Sequence, residues 1–160
     1  MNRIQDQAAK MTQTAIEALL RTARHVPEDK RDWQPMGAAR SALNQMAECV
    51  QFAEYLCEWL TADYMPTSVD REKMMAIRQE FVERCKDQQW FEETARARYN
   101  ELVEVIRSTA DSRLDQEFLL PVGGRTVTGA DMLFLGYWNL TYHLGQINYI
   151  QLMLGDTEMH

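Results

Sequence analysis

One stretch constrains this chain more than any other. From Thr128 to Leu154 apolar side chains recur around most of a helix's circumference. In a protein that does not cross a membrane, that requires neighbours on several sides. The segment opens with Thr128-x-x-Asp131, a capping-box-like signal with Asp in place of Glu, and stops at Gly155-Asp156, where a C′ glycine is expected. About 26 residues at 1.5 Å each give a helix of about 39 Å. Its most apolar part, Met132 to Leu154, is interrupted by Asn139, His143, Gln146, Asn148 and Gln151, which argues against a membrane span. The expectation is a last helix at the centre of a bundle.

The rest of the chain supplies helices to pack against it. Ile4, Ala8, Met11, Ala15 and Leu19, flanked by Ile16 and Leu20, predict a first helix over 3–24 that ends before His25-Val26-Pro27. A polar connection around Trp33 and Pro35 leads to a second helix at about 38–62. Its apolar face is Leu43, Met46, Val50, Ala53, Cys57 and Leu60, and a further stripe runs through Ser41, Glu48, Phe52, Tyr55 and Trp59. Pro66 and Thr67-x-x-Asp70 signal another helix start, with Met74, Ile77, Phe81 and Cys85 in phase and a break near 87–90. From Phe91, the positions Ala95, Tyr99, Leu102, Ile106 and Ala110 continue at helical spacing to about Asp111. Only Phe118 to Thr128, with Gly123-Gly124 between short β-branched flanks, reads as an extended loop or small hairpin.

These patterns make the chain all-α, and its 160 residues fit one domain, 1–160. A net charge of −7 offers no electrostatic footprint for a phosphate backbone, so nucleic acid is not an expected partner. Cys49, Cys57 and Cys85 are odd in number and widely spaced, so neither a disulfide framework nor a zinc motif is readable. They read as small core hydrophobes, because no neighbouring base or basic cluster would activate them. With no signal-peptide pattern at the start, the expected location is the cytoplasm. Stripes such as Phe52-Tyr55-Trp59, together with the all-round apolar last helix, offer more apolar surface than one small core covers, so a homodimer is expected.

Chemistry concentrates on one face of the last helix. Asn139, His143 and Gln146 stand at i, i+4 and i+7 among Met132, Leu135, Ile150 and Met153, and polar groups on an apolar stripe need partners. Two side chains at i and i+4 can converge on a metal. They can equally form a hydrogen-bonded arrangement without one.

The ending Asn139-Leu-Thr-Tyr-His143-Leu-Gly-Gln146-Ile147, with Trp33-x-Pro35, the Arg40-Ser41 pair opening the second helix and the terminal Leu154-Gly155, resembles the DinB superfamily of damage-inducible bundle proteins. The likeness runs over roughly residues 5–155. It implies a DinB-like four-helix bundle with a long crossover, commonly homodimeric. Many members hold a divalent metal with three histidines, one on the second helix and two as HxxxH on the last. Some relatives are bacillithiol- or mycothiol-dependent S-transferases, and related enzymes isomerise maleylpyruvate. Carried over residue by residue, the ligand positions are Glu48, Asn139 and His143, so this chain keeps one histidine of three.

An Asn carbonyl carries no charge and suits late first-row metals poorly, so nickel or zinc is expected to bind weakly or not at all. Two functions follow from the resemblance. One is a small-molecule binder, or relative of the metal-dependent thiol S-transferases, with Glu48 and His143 in a cleft between the second and last helices. The other is a non-catalytic homodimeric interaction protein whose cluster is only a hydrogen-bond network, with Glu48 accepting from His143 and Asn139 or Gln146 satisfying the remaining groups. For Glu48 alone, a solvated carboxylate at the edge of the helix face is a further alternative.

Overall fold

Four of the five α-helices among the described residues begin where a short polar side chain captures N–H groups that the first turn leaves unpaired. The computed structural model describes residues 3–62, 66, 68–158 and 160. Helix α1 (Ile4–Arg24) buries Ala8, Ala15, Ile16, Leu19 and Leu20, whereas Ile4 sits at the solvent edge. Ser41 caps α2 (Ala42–Thr61) by accepting from the Asn44 N–H, which starts that helix four residues later than its periodicity suggests. Asp70 caps α3 (Arg71–Arg84) through the Lys73 N–H. The expected Thr67 signal lies outside the described residues. Asp87 caps α4 (Gln88–Ser108) through the Trp90 N–H, so α4 starts ahead of Phe91 and the break narrows to one turn at Cys85–Asp87.

The Gly123-Gly124 segment is a hairpin. Strand β1 (Glu117–Leu119) pairs antiparallel with β2 (Thr126–Thr128), placing Phe118 opposite Val127, and both glycines take positive φ in the connecting loop. Thr128 and Asp131 then form the full capping box of α5 (Gly129–Met153). That helix closes with the Gly155 N–H on the Leu152 carbonyl and the Asp156 N–H on the Gln151 carbonyl, a Schellman ending.

Helices α1 and α2 each pack against both α4 and α5, so they occupy opposite corners of a four-helix bundle, and α3 lies outside it against α2. Residues 25–41 carry the chain across one diagonal and residues 109–128 across the other, which is the long crossover expected. The expectation that α5 fills the centre is corrected: α5 is a corner. Its inner side is closely packed, since a Cβ at Gly136 would lie 2.9 Å from Leu102 Cδ2 and 3.5 Å from both Leu56 Cδ2 and Thr12 Cγ2, on three other helices. Its outer row, Trp138, Tyr142, Gly145, Tyr149 and Leu152, faces solvent. The apolar circumference misleads because tyrosine and tryptophan keep a polar atom in water while counting as hydrophobic in the pattern. No helix among the described residues is long and apolar enough to cross a membrane.

Candidate functional site

Packing α2 against α5 brings the three sequence-selected positions to one place. Asn139 and His143 are one turn apart on α5 and buried, at 3% and 1% exposure. Glu48 comes from α2, and its Oε1 lies 3.4 Å from His143 Nε2. Asn139 lines the same cavity as Glu48. Glu48 is not the solvated boundary carboxylate its position also allowed, because two guanidiniums hold its other oxygen. Arg40 Nη1 and Arg78 Nη1 both donate to Glu48 Oε2, the latter at 2.7 Å.

Arg78 escaped the sequence reading. It sits on α3, 30 positions from Glu48, in a stretch that looks like an ordinary solvated face. Its anchoring explains its place: Arg78 Nε donates to Gln51 Oε1 at 2.5 Å, and Gln51 Nε2 donates to the Met74 carbonyl at 2.9 Å, which ties α3 to α2. The one available signal was the phase of Arg78 beside Met74 and Ile77, the half-buried edge of α3.

The histidine ring is oriented by a chain of fixed donors. Arg40 Nη2 donates to Gln45 Oε1 at 3.2 Å, and a guanidinium only donates, so the Gln45 carbonyl faces the cluster. The same oxygen lies 2.7 Å from His143 Nδ1, with Gln146 Oε1 at 2.8 Å. Nδ1 is therefore the N–H, and Nε2 is the ring atom left facing Glu48. The hydrogen-bonded alternative has Glu48 accepting from His143, but the ring N–H goes to Gln45 and Gln146 instead. Asn139 Oδ1 is buried without a partner, as is His143 Nε2.

Burial pushes the Glu48 carboxyl upward, but the guanidiniums of Arg40 and Arg78 beside it outweigh that and hold the group well below the usual carboxylate range. Glu48 is thus an anion already paired with two cations. A divalent metal does not fit this donor set: one carboxylate oxygen is taken, the Asn139 donor is neutral, and two guanidiniums repel a dication. No group of three or more His, Cys, Asp or Glu side chains suited to a metal occurs among the described residues. The cysteines have the character of core residues, burial raising the Cys57 thiol to about 11 and that of Cys85 to about 12.

Beside the cluster opens a cavity of about 450 Å³ between α2, α5, the start of α3 and the hairpin loop. Phe52, Tyr55, Trp59 and Trp138 supply aromatic walls, Leu120 and Val122 of the loop close one side, and Glu48, Arg78, Asn139 and Arg125 supply the polar groups. The stripe Phe52-Tyr55-Trp59 therefore faces this cavity. A shallower groove on the other side, lined by Pro35, Arg40, Gln45, Tyr142 and Gln146, leaves the cluster as a polar partition between two hollows.

No protein-family model matches the chain, and no curated protein matches it in sequence. Solved structures do. A mycothiol-dependent maleylpyruvate isomerase superposes with a TM-score of 0.69 at 16% identity, over 92% of this chain and 63% of that one. A DinB-like protein, YjoA, from Bacillus subtilis superposes with a TM-score of 0.64 at 15% identity, over 96% of each chain. This chain thus spans less than two thirds of the isomerase. The fold is DinB-like.

Proposed function

We propose that this DinB-like bundle binds a small organic molecule without a metal, in the cavity between α2, α5 and the hairpin loop. One observation carries this: a concave site with four aromatic walls adjoins a buried acceptor, Asn139 Oδ1, that no protein group satisfies. Small-molecule sites combine mostly apolar walls with a few placed polar groups in this way. Arg40 and Arg78 take the electrostatic place of a cation beside Glu48, so the metal-dependent thiol chemistry of the resemblance is not carried over. The arrangement can hold a guest, with the His143 ring locked through Nδ1.

The test uses N-phenyl-1-naphthylamine, a neutral aromatic probe whose fluorescence rises in apolar sites. One probe per chain should bind, and Val122→Asp, at an exposed position on the cavity wall, should weaken binding at least fivefold. Absence of saturable binding would overturn the proposal.

A separate surface supports self-association. The exposed row Trp138, Tyr142, Gly145, Tyr149 and Leu152 is spaced 4, 3, 4, 3, the seam of a packed helix pair, and a Cβ at Gly145 would meet nothing within 4 Å. A light-scattering mass near twice 18.7 kDa, falling to one chain in Tyr149→Glu, is the expected result. A native mass of one chain at all concentrations would eliminate the dimer.

A further inference from the structure

The cavity is charged oppositely to the chain around it. The protein carries −7 overall, yet among the described residues the cavity wall sets one carboxylate, Glu48, against two guanidiniums, Arg78 and Arg125, with Arg40 behind Glu48. Arg40 and Arg78 share Glu48 Oε2 between them. Arg125, on the hairpin loop, lines the cavity and has no ion pair among the described residues. Asp131 feels its charge, but the Asp131 carboxylate is already engaged at Thr128 in the capping box. Arg78 spends Nε on Gln51 and Nη1 on Glu48, which leaves Nη2 without a protein acceptor among the described residues.

An aromatic-walled hollow with an unpaired guanidinium at its rim, Arg125, and an unpaired N–H on Arg78 favours a guest that brings the missing acceptor. A neutral or cationic guest would strip water from those groups and return nothing. The buried Asn139 Oδ1 asks in addition for one donor on the guest.

We infer that the guest is a small aromatic acid bearing an N–H or O–H, its anionic group facing Arg125 and Arg78 and its ring against Tyr55, Trp59 and Trp138. This rests on the proposed ligand-binding role of the cavity. A guanidinium pairs strongly with a carboxylate through two parallel hydrogen bonds, and a sulfonate, tetrahedral at sulfur, also offers two acceptor oxygens on one side. Arg125 sits on the loop at the cavity's edge, where its charge also draws the anion in.

Two probes with the same anilinonaphthalene body and N–H separate charge from shape. 1-Anilinonaphthalene-8-sulfonate should bind at least tenfold more tightly than neutral N-phenyl-1-naphthylamine. Arg125→Glu should weaken the sulfonate at least tenfold and leave the neutral probe within twofold. Tyr149→Ala with Leu152→Ala, on the outer row of α5, should leave both probes within twofold. Equal affinities, or a sulfonate indifferent to Arg125→Glu, would overturn the acid assignment while the ligand-binding role stands. Sulfonate binding abolished by the outer-row change would place it off the cavity and overturn the assignment too. If neither probe binds, both fall.

Discussion

Helix α5 has two inward sides that obey different rules. Toward α1 and α4 it presents Gly136, Leu140 and Ile147 to an interior that includes Leu19, Leu102 and Ile106, all buried. Toward α2 it presents Asn139, His143 and Gln146 to Glu48, Arg40 and Arg78. The first side removes apolar surface from water, worth about 1.5–3 kcal/mol for each large side chain. The second takes charges out of water, where attraction and desolvation roughly cancel. Two of the four buried, unpartnered side-chain polar atoms among the described residues, Asn139 Oδ1 and His143 Nε2, lie on that second side. The dry side holds the bundle together, while the polar side leaves two buried groups unpaired at a cost to stability.

The contrast breaks most sharply if truncation on the dry side proves mild. Leu140→Ala leaves a cavity among four helices and should cost about 2–5 kcal/mol in urea unfolding. A loss below about 1 kcal/mol would mean that the interior is looser than its burial indicates.

On the polar side, Glu48→His with Asn139→His and Arg78→Met should create a three-imidazole zinc site. At a hundredfold excess of zinc over Kd it should gain about 2.7 kcal/mol of stability. Keeping Arg78 should weaken calorimetric zinc binding at least tenfold, and acid should abolish it as the imidazoles protonate. Tight zinc binding by the native chain would show that Glu48 and Asn139 are better ligands than their neighbours allow.

Glu48→Ala strands two guanidiniums and should cost about 1–3 kcal/mol, less than for a fully buried pair because the carboxylate keeps 23% of its exposure. Replacing both partners, Glu48→Leu with Arg78→Met, should come within about 1 kcal/mol of native or exceed it. If it costs as much as the single change, the pair is itself a structural necessity and the polar side resembles the dry one.

The smallest effect is acid sensitivity. The hydrogen bond from Arg24 holds the Glu92 carboxyl down at about 2, and Glu48 is also depressed. Depressed carboxyls stabilise the fold above the ordinary carboxyl pKa of about 4.5. That contribution fades as pH falls from there through the folded-state values. Glu92→Gln should flatten the loss between about pH 4.5 and 2 by no more than about 1 kcal/mol, as befits an ion pair near the surface. A pH profile unchanged by this substitution would show that the Arg24 pair contributes nothing.

Local rules made much of this molecule readable. The Thr128–Asp131 box and the Gly155 ending act within one helical turn and were legible in chain order; Ser41 and Asp87 act just as locally, but apolar periodicity alone misplaced the starts they cap. The spacing of Asn139 and His143 likewise determined that they share a face, because 3.6 residues per turn is a property of the backbone. Two matters lay beyond that reach. Whether α5 stood at the centre or at a corner depended on how many helices gathered around it, and tyrosines and tryptophan suit either place. Which charge Glu48 met depended on α3 folding back along α2, through Gln51 and the Met74 carbonyl, to deliver Arg78. A periodic pattern records which way a side chain points. It does not record what arrives opposite, and at this site two guanidiniums, those of Arg40 and Arg78, arrive beside Glu48.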